Sequence, residues 1–296
     1  MSDLAVLGQP IILFAEECDR GTMRQVNQDS ILHRSIPMGE LLIVCDGIGG
    51  ENASGASPSN TAVEQIHSYL VALPQDYAAD KAIREAAAQA NTKIAPADKE
   101  PDVPQLRVGT AVVIALLQQD AEGCYAWIGH IGDCRAYLVR AGRLHRLTLD
   151  HSGVQSLLTR SLIAPEEAYH HPDTGVLTRS LGTQPEVEID IEKHPMAVGD
   201  TLLLCSDGLW DSVSEKEIER TASGPTVEAA ARNLLQRALD AGGRDNISIE
   251  MARLSETRAI PQKSNVQSSL LKWLVVVFLL AVVGLGVLTY LTFFAN

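Results

Sequence analysis

Short apolar runs alternate along the chain with two pairs of helix-length amphipathic stretches. The run at 41–45, Leu-Leu-Ile-Val-Cys, has the length and β-branched content of a buried strand. It stops at Asp46, with glycines following at 47, 49 and 50. The run at 201–205 stops in the same way at Ser206, Asp207 and Gly208. Residues 127–131 lead into Gly132 and Asp133, and at 243–250 the acid, Asp245, precedes the strand. A carboxylate at the mouth of a buried strand is costly unless something positive meets it. Four strand-edge aspartates in distant segments therefore predict one site assembled by the fold.

Further strands are predicted over 11–14, 31–36, 107–117 and up to 128, then 186–194 and 247–253. Residues 135–140 and 143–147 read as a hairpin turning at Ala141 and Gly142. Apolar residues at helical spacing predict helices over 57–73 and 77–94, closed by Pro74 and Pro96. In the second half, Ser214 and Glu217 form the pattern of a capping box. A last helix runs over 226–242, with Gly242 suited to its C-terminal cap. Residues 151–171, polar and poorly periodic, read as a flap beside the site. Strands, helix pair, strands, helix pair, strands, with hairpin-length links, predict an α+β fold: an antiparallel two-sheet core with helices outside.

The C-terminal region differs in kind. Residues 255–270 are a polar linker, and 274–294 carry no charge at all. As a helix those residues span about 31 Å, against a hydrocarbon core of roughly 30 Å. Their Leu, Val and Phe content favours insertion by roughly 5–9 kcal/mol. The expected organisation is a catalytic domain over 1–254, the linker, and a transmembrane helix over 271–294. Arg253, Arg258, Lys263 and Lys272 lie N-terminal to the uncharged segment 274–294, which places the domain in the cytoplasm by the positive-inside rule. The competing expectation is a lipid-anchor signal whose apolar tail is removed.

Composition narrows the chemistry. A net charge of −13 and pI near 5.0 exclude the basic face of a nucleic-acid binder. The cysteines at 18, 45, 124, 134 and 205 are odd in number and form no C-x-x-C pair, which fits a reducing compartment. Two carboxylates 4 Å apart repel by about 4 kcal/mol at an effective dielectric of 20, so converging acids require cations or protonation. All-oxygen ligation selects Mg²⁺, Mn²⁺ or Ca²⁺ over zinc. A pair of such ions suits in-line attack on phosphorus, with Arg24 as the phosphate clamp. Cys18 to Arg24 also satisfies C-x5-R, the phosphate loop of cysteine-dependent phosphatases, as does Cys134 to Arg140. Acidic neighbours Glu17 and Asp19 disfavour a Cys18 thiolate.

The ordered set Asp19-x-Gly21-x-x-Arg24-x-x-Asn27-x-Asp29, Val44-Cys45-Asp46-Gly47, Gly109-Thr110, Gly132-Asp133-Cys134-Arg135, Asp150-His151-Ser152, Leu177 to Gly182, Ser206-Asp207-Gly208 and Gly242-Gly243-x-Asp245-Asn246 resembles the metal-dependent Ser/Thr protein phosphatases of the protein phosphatase 2C family, in its bacterial form. The resemblance implies a four-layer α/β/β/α sandwich with metals at one end of the two sheets. It implies Mn²⁺ or Mg²⁺, two ions or three. Asp46, Asp207 and Asp245 match the first-metal ligands; Asp46 bridges to a second ion that the Gly47 carbonyl also holds. Asp133, with Asp207, matches a third-metal position. Arg24 matches the phosphate-binding arginine, and Asp29 and Asn246 stand behind the ligands. The implied reaction is hydrolysis of phosphoserine and phosphothreonine in proteins, opposing a Ser/Thr kinase, by water attacking phosphorus in line. The alternative is a catalytically silent module that binds partner proteins at the membrane. Gln28, where many relatives have Glu, Ile48, in place of a histidine, and Ala111, in place of a Thr, depart from the family pattern.

Overall fold

The computed structural model describes residues 10–49, 57–95, 108–164 and 175–256, with positions 167, 171 and 173. The linker from 257 onward and the expected transmembrane helix lie outside these residues. Among the described residues no helix is long and apolar enough to cross a membrane.

Residues 10–256 form one compact unit of two five-stranded antiparallel sheets. Strands β2 (Ser30–Ile36), β3 (Gly39–Ile48), β4 (Gly109–Gln119), β5 (Cys124–Ile131) and β8 (Asp190–Met196) lie in that order in one sheet. The other runs β1 (Ile11–Asp19), β10 (Ile247–Ser255), β9 (Thr201–Cys205), β6 (Arg135–Arg140), β7 (Arg143–Arg146).

Side chains alternate across a strand, and both faces of the central strands are apolar. On β3 and β4, Leu41, Ile43, Cys45, Val112, Ile114 and Leu116 face helices α1 (Pro58–Val71) and α2 (Ala79–Ile94). Leu42, Val44, Val113 and Ala115 face the second sheet, where they meet Leu202, Leu204, Ala252 and Leu254. The opposite face of that sheet, with Leu203, Cys205, Ile249 and Met251, is covered by α5 (Glu215–Ala222) and α6 (Val227–Asp240). The result is helices, sheet, sheet, helices. On α2 the buried face is Ala82, Ala86, Ala87 and Ala90, small residues that admit close approach, with Ile83 among them.

Several expectations shift. Strand β1 continues to Asp19, beyond the apolar 11–14, because β10 supplies partners down to Ile247. Strand β8 begins at Asp190 rather than 186, where its partner β5 ends: Asp190 faces His130. Upstream, the Gln184 and Pro185 carbonyls are taken by Asn91 Nδ2 instead. The capping box does not form. Ser214 caps α5 without a side-chain bond, and Glu217 turns to Arg237 and Arg220. The hairpin turn falls at Ala141 and Gly142, both at positive φ (50° and 74°), as a twisted two-residue turn requires. In the flap region the described residues include helix α3 (Gly153–Thr159), and Ser152 bridges to Leu177.

Candidate active site

The strand ends deliver the predicted acids to one place. Asp46 and Gly47 lie near the end of β3, paired with Ala111 and Thr110 of β4. Thr110 Oγ1 donates to the Asp46 carbonyl at 2.7 Å and fixes that peptide. Gly47 N–H donates to the Gln28 carbonyl, and a Cβ on Gly47 would meet that same oxygen at 2.6 Å. The backbone passes too close for any side chain. Asp207 opens the four-residue helix α4 (Asp207–Trp210) directly after β9. Gly208 behind it is similarly forced, since a Cβ would lie 2.0 Å from the Asn246 carbonyl. Asp133 follows Gly132 in the β5–β6 link, and Asp245 precedes β10.

Electrostatics show the convergence. Burial and then the charges of Asp207, Asp29, Asp133 and Asp245 push the Asp46 carboxyl well above the usual range. Burial and then Asp133, Asp245 and Asp29 do the same to Asp207. Burial and the neighbouring Asp150 raise Asp133 to about 7, with Arg135 opposing. Asp29 is raised to about 6 by burial, although Ser206 Oγ donates to its Oδ2 at 2.7 Å. Its Oδ1 is buried with no hydrogen-bond partner. Arg24 donates to Asp245 Oδ2 at 2.7 Å. Asp29, Asp46, Asp133 and Asp207 thus share a water-poor floor with the part-exposed Asp245 at its edge, and an unpartnered acceptor lies among them. That donor set fits hard divalent cations held through oxygen.

Asn246 does the holding work for the 20–29 loop. Its Nδ2 donates to the Arg20 and Val26 carbonyls at 2.8 and 3.1 Å, and its Oδ1 accepts from Gln28 N–H at 2.8 Å. Gln28 spends its own amide on the Gly49 carbonyl. The eight predicted site residues are therefore all drawn into one end of the sandwich. Ser206 was not foreseen; its hydroxyl joins Asp29 to the Ser248 N–H. Trp210 was not foreseen either; its Nε1 donates to the Asp133 carbonyl at 3.0 Å. Only their closeness in sequence to Asp207 hinted at them. Next to Asp133 lies a cavity of about 430 Å³, floored by Arg135, Arg146 and Asp150 and walled by Trp210, Val154 and Leu158. Arg135 forks onto both oxygens of Asp150 and stacks over Trp210, 3.5 Å from its centroid.

Residues 21–247 match the sequence profile of the protein phosphatase 2C family. Over 246 residues the chain is 34% identical to the serine/threonine protein phosphatase PstP of Mycobacterium tuberculosis, covering 82% of this chain and 45% of that protein. It thus spans about half the length of the mycobacterial relative. The serine/threonine phosphatase stp of Listeria monocytogenes is 34% identical over 237 residues, covering 78% of this chain and 91% of the relative. A crystal structure of M. tuberculosis PstP superposes with a TM-score of 0.67 at 32% identity, over 83% of this chain and 99% of that one. The PstP catalytic domain solved with two manganese ions gives 0.71 at 31% identity, over 84% and 100%. The ordered acids at the strand ends and a match that runs through nearly the whole described unit lead to one assignment: this chain belongs to the protein phosphatase 2C family.

Proposed function

We propose that the protein hydrolyses phosphoserine and phosphothreonine in proteins with the help of two or three Mn²⁺ or Mg²⁺ ions. The carrying observation is the cluster of mutually repelling carboxylates, which ionise together at neutral pH only with cations among them. Asp46, Asp207 and Asp245 would hold one ion, Asp46 and the Gly47 carbonyl a second, and Asp133 with Asp207 a third. When bound, such ions act as Lewis acids that ready a water for attack and neutralise phosphoryl charge. The chain's own groups do the rest. Arg24, at the cleft edge beside Asp245, offers a planar fork to two phosphoryl oxygens and sets the phosphorus in line. Asp29, carrying a raised pKa, stands ready to take a proton from the attacking water and is aimed by Ser206. The cavity beside Asp133 gives room for the substrate chain that flanks the phosphorylated residue.

Asp46→Asn and Asp207→Asn should each abolish turnover while leaving the folded spectrum unchanged. Activity near that of the wild type in either would sink this reading. A silent partner-binding module is disfavoured because no member of the acid set, nor Arg24, has been lost.

The anchor reading rests on the uncharged, Leu- and Val-rich stretch at 274–294. We take residues 1–254 as the catalytic domain, 255–270 as the linker and 271–294 as a membrane helix, with the domain on the cytoplasmic side among intracellular phosphoproteins and opposing a Ser/Thr kinase. Protease added to intact spheroplasts should spare the domain, and digestion before lysis would reverse the orientation.

A further inference from the structure

His130, His151 and Asp190, none of them among the predicted ligands, place three potential ligand atoms within 4.8 Å of one another. The geometry is poor for an ion. The two imidazoles are stacked, centroids 4.6 Å apart and planes 29° apart, so their in-plane lone pairs run side by side rather than meeting at a point. The nitrogens of His151 are already engaged. Nε2 donates to Asp190 Oδ2 at 3.1 Å, and Nδ1 accepts from the Gly132 N–H at 3.2 Å. His130 Nε2 donates to the Leu149 carbonyl at 2.8 Å. Burial pulls both imidazoles below their ordinary pKa, which keeps the Nδ1 acceptor of His151 in place.

What this network grips is the peptide before Asp133. His151 holds Gly132 twice, through Nδ1 and through its own N–H, which donates to the Gly132 carbonyl at 2.8 Å. Gly132 sits at φ +97°, and a Cβ there would lie 2.5 Å from that of Ala111, so only glycine fits at this position. Behind His151, Asp190 is itself fixed by Arg179 Nη1 at 2.9 Å. The His151 carbonyl accepts from Thr178 N–H at 2.8 Å, next to the isolated bridge between Ser152 and Leu177. On its other side Asp133 is tied by Trp210.

We propose that His151 is a positioning residue for Asp133, and that the chain Arg179–Asp190–His151–Gly132 sets the affinity of the cation that Asp133 holds. This rests on Asp133 being a cation ligand, and the test separates the two claims. Mn²⁺ is titrated calorimetrically into the metal-stripped full-length chain. Asp133→Ala should remove one binding step. His151→Ala should weaken that same step by about 10–100-fold, the usual effect of losing a group that orients a ligand, and leave the other steps within about two-fold. His151→Asn, whose Oδ1 can accept from the Gly132 N–H, should recover most of the loss. In the Asp133→Ala background, His151→Ala should change nothing further. If His151→Ala lacks the folded near-ultraviolet spectrum, Asp190→Asn carries the test, with weakening of the same step alone. Equal weakening of every step, or none, overturns the positioning role. So does a step that survives Asp133→Ala yet disappears in both His130→Ala and His151→Ala, which would make the histidines ligands. If Asp133→Ala leaves every step intact, the assignment of Asp133 itself falls.

Discussion

Replacing Glu250 by Gln should stabilise the protein, and by far more at pH 7 than at pH 5. Glu250 lies on β10 opposite Glu16 of β1 and Leu204 of β9, fully buried on the face between the sheets. Neither carboxyl oxygen has a hydrogen-bond partner. Burial, and then the charge of Glu16, raise its pKa from 4.5 to about 9, with Arg34 opposing. Between those values the folded chain keeps a proton that the unfolded chain releases. Stability is therefore lost as pH rises through the window, at 1.36 kcal/mol per unit. At pH 7, about 2.5 units above the unfolded value, the cost is about 3 kcal/mol, and at pH 5 under about 1. Gln has the same shape and no proton to lose. Urea unfolding of both proteins in EDTA, followed by tryptophan fluorescence, reads the difference at each pH. A gap between wild type and variant that is the same at pH 5 and pH 7 would refute the reasoning.

Two further outcomes follow from the site. Arg24→Ala should raise KM for a phosphopeptide at least ten-fold, and Arg24→Lys should recover only part because an ammonium cannot fork onto two oxygens; an unchanged KM removes Arg24 from phosphate binding. Cys18→Ser should leave turnover within about two-fold, because the thiol's pKa is raised by partial burial of its sulfur, although the residue as a whole is exposed, and that sulfur is occupied by Ser248 and Asn27; complete loss in a folded variant would restore the C-x5-R chemistry.

The acids were legible because each breaks an apolar run, and burial of a run's end makes an acid there conspicuous. The alternation in β3 and β4 was legible as strand, but two-sided burial says nothing about which helices cover which face. The hydrogen bonds that hold the site were not. Thr110 to Asp46 spans 64 residues, Ser206 to Asp29 spans 177, and Gln28 to Asn246 spans 218. No local pattern encodes such pairs. Helix α4 is a single turn, too short for any periodicity to register. The capping box failed because it is a local rule, and Arg237 on a neighbouring helix offered Glu217 a charged partner instead. Glu250 carries no sequence mark at all, since its cost exists only once the second sheet closes over it.

The most direct measurement is phosphate release from a phosphothreonine peptide by the full-length chain, first stripped with EDTA and then supplied with Mn²⁺. The account predicts no release from the stripped protein, recovery with Mn²⁺, and no recovery in Asp46→Asn. Release that persists in EDTA, or that Mn²⁺ restores equally to Asp46→Asn, would contradict it.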